Sequence, residues 1–285
     1  MKQVVIVTDS AASIPKELLD ELGIFVVPVG IQMDGALYRE QLDMSLEEFY
    51  HRFDGAQSLT TSQPSPGDFL EVYEKVAAAG AEIVSVHIAG RSSGTVQSAQ
   101  LAAGETAVPV HVVDTESCSM GQGFLAMAAA SWAQLGHSAV EIVQMLEEMR
   151  AETGVWVAVP TLKYLARSGK VGKMKAIMAS ILKIKPILGM IDGAAVVVDK
   201  ARSYPRALER MVQLAEERFE QKPLHVAVLH THAKAEAEKF AQLVEARLSC
   251  STTIISEMGT ALAVHGGQGM LGIAAYPVEK PTNLH

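Results

Sequence analysis

The sequence predicts an α/β protein of two domains, the first built on a parallel sheet wrapped by helices and the second a smaller α+β unit. Three observations predict this. The chain has 285 residues, too many for one small core and suited to two domains of roughly 100–200 residues each. Short β-rich runs alternate with helical patterns through the first half, as in a parallel sheet with crossover helices. Hydrophobic residues make up 49% and charged residues 20% of the chain, enough apolar material for packed cores and too little polarity for disorder.

Taken in order, strands are expected at residues 4–7, 25–29, 83–88 and 109–113, each followed by turn or helix-opening residues. A helix follows Ser65, because Ser65 can cap it, Pro66 suits its first turn and Asp68 favours its positive end. Phe69, Val72, Tyr73 and Val76 then form one apolar face. A second helix opens at Ser93-Gly94-Thr95, directly after a strand. An amphipathic helix at 139–149 closes the first half. From Gly154 the texture changes to a strand at 155–159, a helical stretch, an apolar run at 184–188, a strand at 194–198, and strands near 225–230 and 272–276. The boundary therefore falls between 153 and 154, giving domains 1–153 and 154–285. No Pro/Ser-rich linker marks it, so a large shared interface is expected. No internal repeat is present.

Composition and charge remove several function classes. A formal charge of −8 repels phosphate backbones, and no basic block offsets it, so nucleic acid is not an expected partner. The start of the chain reaches Asp9 after four apolar residues, too few for a signal-peptide core, and the weakly polar stretch at 123–135 is too short to span a bilayer. The expected compartment is the cytoplasm. Cys118 and Cys250 form neither a redox nor a zinc pattern. With 13 Met and only 5% aromatic residues, adaptable side chains are available to line an apolar cavity, and ordinary packing explains them equally well.

Ligands of open α/β sheets bind beyond the carboxyl ends of the strands. Three hydroxyl-rich segments are expected there: Thr8-Asp9-Ser10, Thr60-Thr61-Ser62-Gln63-Pro64-Ser65-Pro66 and Ser92-Ser93-Gly94-Thr95. Hydroxyls and backbone amides at helix starts suit a carboxylate or a phosphate, and they also serve simply as caps. Gly90-Arg91-Ser92-Ser93-Gly94 matches the G-x-S-x-G nucleophile elbow and precedes Asp192, Asp199 and His265 in the order of an α/β-hydrolase. No Gly-rich oxyanion loop precedes it. His230-Thr231-His232, near His225, suggests metal by alternation, without a carboxylate or cysteine at matching spacing. Gly266-Gly267-Gln268-Gly269 lacks the Lys-Ser/Thr ending of a P-loop. Its glycines let backbone approach a ligand or another segment.

In this order the segments resemble the DegV family of bacterial fatty-acid-binding proteins, the acyl-binding subunits of fatty acid kinase. The likeness runs nearly end to end: Thr8-Asp9-Ser10 with Ile14-Pro15, then Thr61 through Pro66, then Ser93-Gly94-Thr95 with Ser98-Ala99. Leu162, Leu165, Ser168-Gly169-Lys170-Val171, Leu182, Ile184-Lys185-Pro186-Ile187-Leu188 and Asp192-Gly193 are similar to the family's second-domain hallmark, and His265 with Gly267 and Gly269 to its closing pattern. The family commonly has Gly-Gly-Arg where this chain has Ser168-Gly169-Lys170, Pro in place of Gln268, and Leu in place of Ser92. The last departure makes the elbow match look accidental.

The resemblance implies loops of the first domain holding a fatty-acid carboxylate through Thr61 and Ser93, with Ser62 and His265 close by, and a second domain covering the acyl chain. Met174, Ile177, Met178, Ile181 and Leu182 are candidates to line its tunnel. About sixteen methylenes at roughly 0.8 kcal/mol each give an upper bound near 13 kcal/mol, whereas each charge-assisted hydrogen bond adds about 1.5–3. It further implies that the chain is not itself an enzyme and carries neither cofactor nor metal. A dihydroxyacetone-kinase-like partner would bring ATP and Mg, Arg202 and Lys170 would face it, and lipid exchange would involve transient membrane contact. The rival readings are a serine hydrolase built on Ser92 and His265, and a binder of another carboxylate such as a sugar acid or retinoid.

Overall fold

The structure, a computed structural model, describes residues 3–77, 80–167 and 184–278. Four strands, β1 (Val4–Asp9), β2 (Phe25–Val27), β6 (Glu82–His87) and β7 (Val110–Asp114), form a parallel sheet in the order β2-β1-β6-β7. From Ile83 to His87 every residue of β6 is buried, as expected of a central parallel strand covered on both faces. Helices α1 (Lys16–Leu22), α3 (Pro66–Ala77) and α4 (Thr95–Glu105) accompany these strands.

A second sheet holds β8 (Gly154–Ala158), β9 (Lys185–Ile191), β10 (Ala194–Ala201), β11 (Leu224–His230), β12 (Cys250–Glu257) and β13 (Leu271–Pro277). Its order is β10-β9-β8-β13-β11-β12, antiparallel except for β11 with β12. Helices α8 (Tyr204–Phe219) and α9 (Lys234–Arg247) cover one face of this sheet, closing a core around Trp156, Met211, Phe219 and Phe240. Between the two sheets lies α5 (Met120–Gln134), buried on all sides from Met120 to Trp132. It packs on β1 and β6 and also on β8 and β13, which is why Phe124-Leu125-Ala126-Met127 reads as apolar all round rather than amphipathic. Ser138 and Glu141 form a capping box that starts α6 (Ala139–Glu152). A short α7 (Lys163–Arg167) follows β8.

A third, three-stranded antiparallel sheet was not expected from the sequence. The strand foreseen at 25–29 ends at Val27, and the chain turns through Pro28-Val29 into β3 (Gly30–Met33). Asp34 and Gly35, at φ 53° and 85°, reverse it into β4 (Ala36–Arg39), and β5 (Leu59–Ser62) pairs on the other side, with Thr61 opposite Ile31. Helix α2 (Leu46–Phe53) seals one face with Phe49, Tyr50 and Phe53. Helix α10 (Thr260–Gly266), from the far end of the chain, packs Ala261, Ala263 and Val264 into the same cluster. No helix among the described residues is long and apolar enough to cross a membrane.

Candidate functional site

From β1 the chain passes to β2 on one side of the parallel sheet and later returns as β6 on the other. The loops after β1 and β6 therefore diverge, which opens a crevice beyond their carboxyl ends. Asp9, fully buried at the end of β1, ties both loops: it accepts from the amides of Ala11 (3.1 Å) and Ile88 (3.0 Å) and from Gln122 Nε2 (3.0 Å), and lies 3.0 Å from His87 Nδ1. This corrects one expectation. Thr8-Asp9-Ser10 does not reach the crevice; it holds the backbone that does, and Ala11 and Ile88 line it instead.

The crevice is a cavity of about 640 Å³, within the roughly 300–1,000 Å³ of small-molecule sites. Thr61, Ser62, Gln63, Ser93 and His265 supply polar groups to its wall, and Val155, Val157, Leu188, Met190, Met258 and Met270 supply apolar ones. The apolar wall comes from neighbouring strands, since Val157 on β8 faces Leu188 on β9.

Each polar residue owes its place to its element. Thr61 stands two residues from the buried Leu59 on β5, hence on the same face, where α10 packs. Its Oγ1 lies 3.0 Å from His265 Nε2. On α10, Leu262 and His265 are three apart and share the side that lines the cavity, while Ala263 and Val264 face the small sheet's core. Ser93 precedes α4, and its Oγ lies 2.8 Å from Thr95 Oγ1. Gly94 caps α4 without a side chain. A Cβ there would fall 2.5 Å from Gln63 Nε2, so glycine lets Gln63 lie across the helix start, whose first-turn amides and dipole favour an anion. Arg91 adds a cation to the lining, with its guanidinium donating to the Asp192 carbonyl at 3.0 Å. Cys118 also lines the cavity, and burial pushes its thiol up to about 12, so it is neutral at physiological pH.

At the C-terminal end of α10 the glycines behave as read from the sequence. Met270 Sδ occupies the place a Cβ on Gly266 would take, at 1.9 Å, and the Tyr164 ring that of Gly267, at 2.2 Å.

The family resemblance singled out Thr61, Ser62, Ser93 and His265 as one set, and all four line this one cavity. The expectation that residues 60–62 form a loop of the parallel sheet is corrected, because they belong to β5 of the small antiparallel sheet. Arg202 is exposed just past the end of the eight-residue β10, away from Ala194 and Ala195 at its start, which line the cavity. Lys170, Met174, Ile177, Met178, Ile181 and Leu182 lie outside the described residues. The hydrolase constellation does not assemble: Ser92 Oγ donates to the Gly193 carbonyl (3.0 Å), Asp199 pairs with Arg210 (2.7 Å), and the hydroxyl on His265 is that of Thr61. His225 Nδ1 is on Thr252 Oγ1 at 2.6 Å and His232 stacks on Tyr50, and no group of three or more potential metal ligands occurs among the described residues. The sequence reading missed Gln63, Arg91 and the apolar wall. Strand alternation at Val155 and Val157 was the one available signal for that wall.

Residues 3–278 match the profile of a family described as "Uncharacterised protein, DegV family". A DegV domain-containing protein of Streptomyces coelicolor is 34% identical over 274 residues, covering 95% of this chain and 98% of the relative. Among solved structures, a fatty-acid-binding DegV family protein from Thermus thermophilus superposes with a TM-score of 0.89 at 32% identity, covering 98% of this chain and all of the other. DegV of Bacillus subtilis, described as a fatty acid binding protein, gives 0.88 at 30% identity, covering 97% of this chain and 100% of its own.

Proposed function

This chain belongs to the DegV family, and on that premise we propose that it binds a long-chain fatty acid and presents its carboxylate to a separate kinase. The single observation that carries the reading is the pairing of Thr61 with His265 at 3.0 Å in the wall of a cavity that is otherwise largely apolar. A ligand with one anionic end and a long hydrocarbon tail matches that division. The apolar wall on β8 and β9 supplies affinity, at roughly 0.8 kcal/mol per buried methylene, and Thr61, Ser62, Ser93 and His265 supply orientation. The fatty-acid binding described for the Thermus and Bacillus proteins supports this choice of ligand.

In this reading the chain is not a catalyst and needs neither cofactor nor metal of its own. Phosphoryl transfer requires a cradle for the triphosphate and carboxylates that hold magnesium, and the sequence has no Walker segment and no kinase-type Gly-rich loop. ATP and Mg belong to a dihydroxyacetone-kinase-like subunit, which would contact the exposed Arg202 and, on the family resemblance, Lys170. The proposed setting is the cytoplasm, with brief membrane contact for lipid exchange. The boundary between the carboxylate-holding and chain-covering domains is placed at 153/154.

Mass spectrometry of ligand extracted from the purified protein tests the first half. A stoichiometric long-chain fatty acid is the expected result; a sugar acid, a retinoid or no carboxylate would reject it. The second half is tested by acyl-phosphate formation from labelled ATP and fatty acid with each component omitted in turn. Turnover by this chain alone would contradict the division of labour.

A further inference from the structure

Outside the cavity wall, one buried acid is tied to the cavity's geometry. Glu40 follows β4 and is only 3% exposed. Its Oε1 accepts from Thr260 Oγ1 and from the Ala261 amide, both at 2.8 Å, and its Oε2 accepts from Ser10 Oγ, which in turn accepts from the Val29 amide at 2.9 Å. Three separate segments therefore converge on one carboxylate: the loop after β1, the entry to β3 and the start of α10. Burying a carboxyl group away from water is unfavourable unless hydrogen bonds replace its hydration, and apolar side chains would fill the same volume without that cost. The preceding glycine is fitted to the group, because a Cβ on Gly259 would lie 2.6 Å from Oε1.

We propose that Glu40 is a positioning residue for the carboxylate site: by holding Thr260 and Ala261 it fixes the start of α10 and so sets His265 against Thr61. Ala261 and His265 are four residues apart, about one turn of helix, so a shift at the first moves the second. The other end of α10 is already clamped, since Thr231 Oγ1 donates to the Gly267 carbonyl at 2.7 Å and the Tyr164 ring covers Gly267. Glu40 thus completes a two-ended mount for a seven-residue helix. The role rests on the fatty-acid reading above. It predicts that Glu40 governs recognition of the head group and leaves the apolar wall on β8 and β9 untouched.

The test compares hexadecanoic acid with hexadecan-1-ol, each displacing a fluorescent fatty acid from the full chain. Wild type prefers the acid. Glu40→Ala reduces that preference about tenfold, the equivalent of one lost hydrogen-bonded anchor, with affinity for the alcohol within about twofold of wild type. Glu40→Gln keeps an acceptor for Thr260 and Ala261 and restores most of the preference. The His265 ring signals in NMR move in the Ala variant and return in the Gln variant. Should Glu40→Ala fail to fold by circular dichroism, Thr260→Val removes one donor and lowers the preference about threefold to fivefold. Folded variants that keep the wild-type preference, or that lose acid and alcohol equally, overturn the positioning role while the fatty-acid reading stands. A wild-type protein that does not distinguish acid from alcohol overturns the carboxylate reading and this role with it.

Discussion

Thr61 and His265 lie 204 positions apart in the chain and within one hydrogen bond of each other in the fold. Removing that bond tests what it does. Thr61→Val keeps the β-branched shape and loses the hydroxyl, so fatty-acid affinity measured by calorimetry should fall about fivefold to tenfold, the 1–1.5 kcal/mol of one hydrogen bond, while the fold is retained. Unchanged affinity would remove Thr61 from the site. Ser92, whose hydroxyl is engaged by the Gly193 carbonyl, should remain unlabelled by a serine-directed fluorophosphonate; stoichiometric labelling would restore the hydrolase reading. At this scale the hydroxyl-rich runs were visible because they sit beside glycines and helix starts, where their chemistry is local, and the resemblance to the DegV family singled out Thr61, Ser62, Ser93 and His265. The apolar wall was not. Val157 and Leu188 meet only through the pairing of β8 with β9, and Met258 and Met270 flank α10 from its two sides, so no window of sequence holds them together.

Among the elements, the parallel sheet was legible because the short apolar runs of β1, β6 and β7 alternate with helical patterns along the chain. The small sheet was not recognised, although Asp34-Gly35 is a strong hairpin dipeptide whose two positive φ angles match the twist of the flanking strands. Thr60-Thr61-Ser62-Gln63-Pro64 reads as turn chemistry, and a four-residue strand gives alternation too little length to overrule it. The positions flanking α10 carry the next prediction. Gly267 has φ +88°, and the Tyr164 ring lies 2.2 Å from where an alanine Cβ would stand, so Gly267→Ala must both strain the backbone and displace the ring. A loss of about 2–3 kcal/mol in urea unfolding is expected; a loss below about 0.5 kcal/mol would show that the C-terminal end of α10 is not fixed in this way.

For the molecule as a whole, two sheets share α5, and the cavity is walled by loops of the parallel sheet, by strands of the second sheet and by the small sheet. Ligand binding should therefore stabilise the entire chain, by about 2.7 kcal/mol at a free ligand concentration one hundred times Kd. Acid should act in the opposite sense through β11, whose His225 and His230 are both buried. Burial holds the pKa of His225 below its ordinary value. The unfolded chain then binds more protons as pH falls below about 6.5, so the stability present above that pH is lost on acidification. The melting temperature should drop between about pH 7 and pH 5, and His225→Asn should flatten that drop; an equal slope in the variant would assign the acid sensitivity elsewhere. The central claim, a fatty acid with its carboxylate at Thr61 and His265, is tested most directly by NMR of hexadecanoic acid labelled with carbon-13 at the carboxyl carbon and bound to the protein. The account predicts one slowly exchanging bound resonance at one equivalent, displaced from the free acid and shifted again in Thr61→Val. A resonance that stays at the free position, or a bound one indifferent to Thr61, would contradict it.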